Sequence, residues 1–302
     1  MTPYSAQDIK EADSKPTIAV NGSHGLLGQT LLHTSITGRT TVALSADIRD
    51  THAVFAEIEA LKPQLVIHTA AKTDVADCER NPDEARAVNV EGTKNVVDAA
   101  RAVGARLIYI STASVFSGRE GNYREEDMPE PINVYNTTKR EGEIAVLAYE
   151  KSMILRLNLI GIHPDGSRGK NFMEWIVDSA RANNDMTLFN DQFINPLSNW
   201  TVAALIKMMI EKNMQEKILH IGSKDRLSKA EIGKWVLARF QDYRGNVTEK
   251  SIDNAVDGVI RPKQMWLNVD KVLGYGITLP TLTSEIALLL EKHKQSVLHS
   301  GI

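Results

Sequence analysis

The spacing of hydrophobic positions along the chain switches repeatedly between two patterns, one typical of strands and one typical of helices. Short apolar runs rich in β-branched residues predict strands, which lie at Thr17–Asn21, Thr41–Ser45, Gln64–Thr69, Arg106–Ser111 and Met153–Leu159. Between them, apolar residues recur at helical spacing over 26–36, 51–61, 83–103 and 138–150. In the third helix, Val88, Val96 and Val97 lie opposite Glu91, Lys94 and Asp98. This alternation is typical of parallel βαβ units and predicts an α/β fold, a Rossmann-type doubly wound parallel sheet.

The pattern changes at both ends of this region. Residues 1–15 are polar and lack apolar periodicity, which predicts a flexible N-terminal arm. After Gly161 the rhythm loosens into loops, with one further strand at Ile218–Ile221 and helices near 172–183, 228–241 and 281–292. We therefore expect one domain over 16–160 and a smaller C-terminal lobe over 161–302, parts of which return to the sheet.

Composition and charge exclude several classes of protein. The 302 residues carry a net charge of -3 without a basic cluster, so nucleic acid is not an expected partner. No apolar run is long enough to span a membrane, and the polar N-terminus does not look like a secretory signal. Cys78 is the single cysteine, and no Cys/His cluster has metal-ligand spacing. We expect a cytoplasmic protein without a metal.

The first strand runs into a glycine-rich loop. Gly22 allows a sharp turn, Gly25 a close approach of a pyrophosphate, and Gly28 close packing of the helix on the strand. The phosphates would lie at the helix N-terminus. The alternative is a strand-to-helix turn that uses glycines for geometry alone. The context favours a dinucleotide, which makes 16–160 an NAD(P)-binding Rossmann domain; His24 would shape the loop rather than catalyse.

The end of the second strand bears on the choice of cofactor. An acidic residue there would bind the ribose hydroxyls of NAD, but the strand ends at Ser45 and the first carboxylate is Asp47. No Arg follows Ser45 directly to hold a 2′-phosphate either, although Arg39 and Arg49 are near in sequence. We therefore favour NADP(H) slightly and leave NAD(H) open. Asp47 would reach the adenine or act as a charge near a helix N-terminus.

A candidate catalytic group follows the fourth strand. Tyr135 and Lys139 are four residues apart, so a helix would place both side chains on one face. A phenol is a poor base at neutral pH, and a nearby ammonium lowers its pKa; Lys139 could also hold the nicotinamide ribose. A hydroxyl from Thr112 would bond the substrate oxygen while hydride moves to or from the carbonyl carbon. The alternative is a helix surface pair.

Together with further motifs, these residues resemble the extended short-chain dehydrogenase/reductase family, most closely its dTDP-4-dehydrorhamnose reductase branch. The resemblance covers nearly the whole chain after the arm. It is carried by the glycine loop, 63–71 with Thr73, Val88-Asn89, Ser111-Thr112, 135–143, Lys170-Asn171-Phe172, Asp191-Gln192 with Pro196, and Arg261-Pro262.

The resemblance implies reduction of a nucleotide-linked 4-keto sugar, with Thr112, Tyr135 and Lys139 as the catalytic triad. A homodimer is an expectation from the family alone. The implied cofactor-binding residues are Gly22, His24, Gly25, Leu26, Leu27, Gly28, Ser45, Asp47, Ile48, Thr69, Ala70, Ala71, Thr73, Asn89 and Ser111, together with Tyr135 and Lys139.

The chain departs from the family pattern at several positions. Related dehydratases carry Asp-Glu after the catalytic Thr, whereas this chain has Ala113-Ser114, which argues against dehydration. The reductase branch usually has acids where Ala113 and Ser117 stand, and Tyr where Lys72 stands. These departures leave the identity of the sugar open.

Candidate substrate-binding residues are Thr112, Asn171, Gln192, Trp200 and Arg261. The forked guanidinium of Arg261 suits a diphosphate. Each of the residues in the second lobe has an ordinary alternative: packing for Trp200, a helix cap for Asn171 and a surface charge for Arg261. Arg156, on the fifth strand, would equally serve as one member of a buried ion pair.

Two other functions compete with reduction. The regulatory β subunit of methionine adenosyltransferase is similar to this same branch, so the chain could bind NAD(P) without turnover. An NAD-dependent sugar-nucleotide epimerase would need tightly held NAD. The intact set of Thr112, Tyr135 and Lys139 favours an enzyme over a regulatory subunit.

Overall fold

The computed structural model describes residues 17–165 and 171–299, with side chains through residue 293. The expected arm over 1–15 and Lys170 of the family motif lie outside the described residues.

Strands of two to seven residues run through both halves of this part of the chain. In chain order they are β1 (Thr17–Asn21), β2 (Thr40–Ala43), β3 (Leu65–His68), β4 (Arg106–Thr112), β5 (Ser152–Leu157), β6 (Leu159–Ile160), β7 (Met186–Phe189), β8 (Phe193–Ile194), β9 (Leu197–Ser198), β10 (Ile218–His220), β11 (Leu227–Ser228) and β12 (Val247–Lys250).

Helices connect most of the strands. They are α1 (Leu26–Leu32), α2 (Thr51–Leu61), α3 (Val75–Arg80), α4 (Pro82–Arg86), α5 (Thr93–Ala102), α6 (Val134–Leu147), α7 (Phe172–Arg181), α8 (Asn199–Glu211), α9 (Lys229–Leu237), α10 (Asp270–Gly274) and α11 (Leu282–His299). A π-helical turn (Ala87–Gly92) joins α4 to α5, and short 3₁₀ turns occupy Ala113–Val115 and Ile252–Asn254.

The predicted Rossmann-type sheet is confirmed. Six parallel strands form it in the order β10-β5-β4-β3-β1-β2. Chain order reverses between β1 and β3, and in an open α/β sheet ligands bind at the carboxyl ends of the strands beside such a switch point.

Both faces of the sheet are buried, which explains why its strands are apolar almost throughout. On β1, Ile18 and Val20 pack with α1 and α8, while Ala19 packs on the opposite face with α2 and α5. The predicted faces of the helix near 83–103 are also confirmed, since Val96 and Val97 are buried whereas Glu91 is exposed.

The later half of the chain contributes to two regions. β10 forms an edge of the central sheet beside β5, and α8 packs against α1. α7, α9 and α11 contribute to a separate apolar cluster, in which Ile176, Val236 and Leu289 are buried. Among the described residues, no helix combines the length and apolar character that crossing a bilayer requires.

Candidate active site

A cleft of about 450 Å³ opens at the switch point between β1 and β3. The glycine loop after β1 forms one wall, and the segments after β2 and β3 form the others. Nine predicted cofactor residues line it: Gly22, His24, Gly25, Ser45, Asp47, Ile48, Thr69, Ala70 and Ala71. The cleft therefore collects residues from three separate strand ends, as a dinucleotide site requires.

Two glycines of the loop occupy positions that a side chain could not share. Gly22 has φ +68, and a Cβ there would lie 2.5 Å from the backbone nitrogen of Ala70. A Cβ on Gly28 would lie 2.2 Å from the carbonyl oxygen of Gly22. The N-cap of α1 is Gly25, which provides no side-chain cap, so the first amides of the helix keep their capacity to bind an anion.

The end of β3 is fixed against the glycine loop by Asn21. Its Oδ1 accepts hydrogen bonds from the backbone nitrogens of Thr69 and Ala70, at 3.1 and 3.3 Å. The Thr69 hydroxyl donates in return to the Asn21 carbonyl at 2.7 Å. These bonds hold the end of β1 and the segment after β3 together at the cleft.

Other predicted cofactor residues do not line this cleft. Leu27 and Gly28 are buried behind the loop, Leu26 lies at the start of α1, and Thr73 is exposed. Asn89 is buried and bonds both backbone groups of Lys72, donating to its carbonyl at 3.0 Å and accepting from its amide at 2.8 Å. Asn89 therefore shapes the segment after β3.

The loop after β2 presents acidic and basic groups together. The backbone nitrogen and the hydroxyl of Ser45 both donate to Glu57 of α2 at 2.8 Å, and the Ala46 amide donates to the same carboxylate at 3.0 Å. Arg49 pairs with Asp47 at 2.5 Å and lowers the pKa of that carboxyl to about 2. The cleft thus presents the Asp47 carboxylate and the Arg49 guanidinium side by side, whereas Glu57 fixes the backbone of the loop.

Lys139 lies on the inner face of α6, beneath the end of β4. Its Nζ donates to the carbonyl of Ile110 at 2.9 Å and sits 4.1 Å from the centre of the Tyr109 ring. Burial of the ammonium lowers its pKa to about 7. The bond to Ile110 and the contact with the Tyr109 ring both stabilise the protonated lysine, which burial alone would destabilise.

Tyr135 begins the same helical face, and its phenol lies near enough to Thr112 for that hydroxyl to affect its pKa. Burial raises the pKa of Tyr135 to about 12, and the nearby Thr112 hydroxyl opposes part of that rise. The phenol is therefore protonated at neutral pH and can donate a proton. Thr112 also accepts from the amide of Ser114 at 3.1 Å, which fixes its side chain at the end of β4.

A buried ionic network lies behind this pair. Glu143, fully buried on α6, accepts from Ser111 at 2.6 Å, from Arg156 at 2.8 Å through each of two nitrogens, and from Arg140 at 2.9 Å. The pKa of Glu143 is lowered by these donors, although burial opposes the shift. Arg156 is thereby a member of a buried ion pair, and Ser111 orients Glu143.

A second cleft, of about 580 Å³, lies between the loop after β4 and the segment before α10. Arg261 lines it and donates to Asp257 at 2.7 Å. The Asn133 side chain, which caps α6, donates to the Ile260 carbonyl at 3.0 Å, so this cleft adjoins the helix end that carries Tyr135.

The other predicted substrate residues of the second lobe do not line either cleft. Asn171 caps α7 by accepting from the Glu174 amide at 3.0 Å. Gln192 is 1% exposed and donates to the Pro262 carbonyl at 3.0 Å. Trp200 packs against the apolar cluster of the second lobe. Within residues 17–165 and 171–293, no group of His, Cys, Asp and Glu could hold a metal ion.

Some residues of the site were missed by sequence reasoning. Glu57 sits on α2, twelve residues after Ser45, and only the helical period that turns it toward that loop could have indicated it. Glu143 lies within the family motif, but its role as the partner of the buried Arg156 could be recognised only from the structure.

The parallel sheet, the glycine loop and the Tyr135/Lys139 pair define an NAD(P)-dependent short-chain oxidoreductase. Residues 16–295 match the family model described as "RmlD substrate binding domain", and the chain belongs to that family. Its resemblance to the dTDP-4-dehydrorhamnose reductase branch is thus confirmed.

Three relatives illustrate the range of this family. The probable low-salt glycan biosynthesis reductase Agl14 of Haloferax volcanii is 30% identical over 291 residues, covering 89% of this chain and 96% of the relative. Methionine adenosyltransferase 2 subunit beta of Pongo abelii is 28% identical, covering 91% and 87%. The dTDP-4-dehydrorhamnose reductase of Bacillus anthracis, solved in complex with NADP, has a TM-score of 0.85 at 25% identity, covering 92% and 99%.

Proposed function

We propose that the protein reduces the keto group of a nucleotide-linked 4-keto sugar with NAD(P)H, and that Thr112, Tyr135 and Lys139 are its catalytic residues. The observation that supports this proposal best is the position of the Tyr135 phenol. It lies near Thr112, is protonated at neutral pH, and stands at a helix end that adjoins the second cleft.

Each residue has a distinct role in the proposed reaction. When bound, the reduced nicotinamide supplies a hydride to the carbonyl carbon. Thr112 bonds the carbonyl oxygen, and Tyr135 donates its proton to that oxygen as negative charge develops on it. Lys139 donates to the nicotinamide ribose and stabilises the phenolate that remains. Glu143 holds the end of β4 through Ser111, and its negative charge favours the protonated form of Lys139.

We propose that both cofactors are accepted, with a slight preference for NADP(H). Arg49 is half-exposed and can turn from Asp47 to a 2′-phosphate. Asp47, which also lines the cleft, instead suits ribose hydroxyls, because its carboxylate can accept hydrogen bonds from them. The NADP complex of the Bacillus anthracis relative supports the preference.

A regulatory role is the second candidate, since methionine adenosyltransferase 2 subunit beta is similar over most of the chain. An epimerase that retains NAD is the third, and homodimer formation stays a prediction. The test is oxidation of NADPH or NADH, followed by absorbance, with a panel of nucleotide-linked 4-keto sugars.

We expect turnover by the wild type and a loss of roughly 10²–10⁴-fold in Tyr135→Phe. Tyr243→Phe, remote on the second lobe, is the matched control and should keep wild-type activity. Cofactor binding without turnover would favour the regulatory role, and cofactor that stays bound through purification would favour the epimerase.

A further inference from the structure

Two oppositely charged residues line the cleft at the switch point and have no role in the proposed reaction. Lys72 follows β3, and Glu84 lies on α4. The Lys72 Nζ lies 2.7 Å from a carboxylate oxygen of Glu84 and also pairs with Asp77 of α3. Because the reductase branch usually has Tyr where Lys72 stands, the ammonium is a feature of this chain rather than of the branch.

Lys72 begins close to the glycine loop that would hold the cofactor phosphates. It is two residues from Ala70, whose backbone nitrogen lies 2.5 Å from the place that a Cβ on Gly22 would occupy. Two residues of chain span about 7 Å at most. Asn89 fixes the Lys72 backbone there, accepting from its amide at 2.8 Å and donating to its carbonyl at 3.0 Å. The ammonium is therefore attached to a fixed segment of the cleft that Gly25, the N-cap of α1, also lines.

The two acids hold Lys72 unequally. Asp77 is itself fixed, since it accepts from Asn81 at 2.8 Å and pairs with Arg80 at 3.5 Å. The side chain of Glu84 is 50% exposed and makes no other hydrogen bond or ion pair within the part of the chain that the structure describes. An ion pair with so exposed a carboxylate contributes little. Glu84 is therefore the partner that Lys72 can release, while Asp77 keeps the ammonium at the cleft.

We propose that Lys72 binds the pyrophosphate of the dinucleotide, and that it exchanges the Glu84 carboxylate for a phosphate oxygen when the cofactor enters. The inference rests on the proposed use of NAD(P)H. A pyrophosphate carries more negative charge than a carboxylate, and a hydrogen bond between two ionised groups is short and strong. Because Glu84 competes with the cofactor for the ammonium, the two residues have opposite effects on cofactor affinity.

The test is fluorescence titration with NADPH and with NADH of the wild type, Lys72→Met, Glu84→Gln and the double variant. The control is the pair of Lys94 with Glu91, which lies at 2.9 Å on the exposed side of α5 and the π-helical turn and does not line the cleft. Lys94→Met and Glu91→Gln should bind both dinucleotides like the wild type. Circular dichroism establishes that each variant is folded.

We expect Lys72→Met to weaken the binding of both dinucleotides roughly 5- to 30-fold, because a charged hydrogen bond to the pyrophosphate is lost. Glu84→Gln should tighten the binding of both about two- to fivefold, because the ammonium no longer has to leave an ion pair. In the double variant that gain should shrink, since Glu84 then has no ammonium to compete for.

A purely structural ion pair gives a different result, because both single substitutions would then weaken binding or leave it unchanged, and either result overturns the proposal. If Lys72→Met does not fold, Glu84→Gln alone decides, since only competition for the ammonium produces tighter binding. A loss confined to NADPH also overturns the proposal, because it would place Lys72 at the 2′-phosphate.

Failure of the proposed reaction is distinguishable from failure of this inference. In that case the wild type binds both dinucleotides and depends on Lys72 for their affinity, yet oxidises neither of them with any sugar of the panel.

Discussion

The ammonium of Lys139 is 2% exposed, and its pKa is lowered to about 7 against an ordinary value of 10.5. The unfolded chain therefore binds a proton more readily than the folded protein between these two values. The resulting cost to stability is complete below about pH 7 and disappears as the pH rises toward 10.5. In the proposed reaction this charge acts on the cofactor ribose and on the phenolate of Tyr135.

Lys139→Met should accordingly stabilise the cofactor-free protein while removing activity. We expect a gain of about 1–3 kcal/mol in the free energy of unfolding near pH 6. The gain should shrink near pH 9, because the wild-type lysine is then mostly neutral. Urea unfolding at both pH values measures this. Lys94→Met removes an exposed lysine paired with Glu91 and should show no such dependence; an equal gain at both pH values would contradict the argument.

Arg49 is the residue at which the choice of cofactor can be tested. Arg49→Ala should lower kcat/KM for NADPH by roughly 5- to 30-fold, because the 2′-phosphate loses a charged hydrogen-bond donor. The value for NADH should change little, since ribose hydroxyls do not need the guanidinium. Asp47→Asn frees Arg49 from its ion pair. This change should raise kcat/KM for NADPH relative to kcat/KM for NADH. Equal losses with both cofactors would assign Arg49 a structural role instead.

At the scale of elements, the junction of β1 with α1 depends on close backbone contact. Gly28→Ala would place a methyl group against the Gly22 carbonyl, so we expect loss of about 1–3 kcal/mol in stability and at least roughly tenfold weaker binding of NADPH. Gly274→Ala is the control, since a Cβ there meets nothing within 4 Å. Fluorescence titration with NADPH should show unchanged affinity for the control, and a Gly28→Ala protein that binds normally would contradict this view of the loop.

The central strands were predictable because parallel strands buried on both faces give continuous apolar runs. α6 begins at Val134 rather than near 138, and the N-cap signal of Asn133 could have shown this. α8 was missed because its run from Val202 to Ile210 is buried nearly all round and has no clear polar stripe.

The site was predictable where its residues share a short motif or follow a predicted strand of the sheet. The four-residue interval between Tyr135 and Lys139 is enough by itself to indicate a shared helix face. Glu57 gave no such signal, because its bonds to the loop after β2 depend on how α2 packs beside that loop. The structure also places Asn171 as a cap of α7, which spacing alone could not separate from a substrate contact.

At the scale of the whole molecule, one ionic network connects the early and late parts of the chain. Glu143 on α6 binds Arg156 on β5, whose guanidinium lies 3.4 Å from His220 on β10. β10 joins the sheet from the second half of the chain, so the network connects that half to the helix of Tyr135. Because the Glu143 carboxylate and the Arg156 guanidinium are both buried, removal of either one leaves the other as an uncompensated buried charge.

Removing one partner should therefore destabilise the entire protein. We expect Arg156→Met to cost about 3–5 kcal/mol, because it leaves the Glu143 carboxylate buried with fewer donors. Since the folded pKa of Glu143 lies below its ordinary 4.5, its contribution to stability is present above that value and is lost as the pH falls below it. In urea unfolding, the wild type should lose stability between about pH 5 and 3 more steeply than Glu143→Gln does. Glu91→Gln, on the surface, should follow the wild type; identical acid profiles for wild type and Glu143→Gln would show that the network does not contribute to stability.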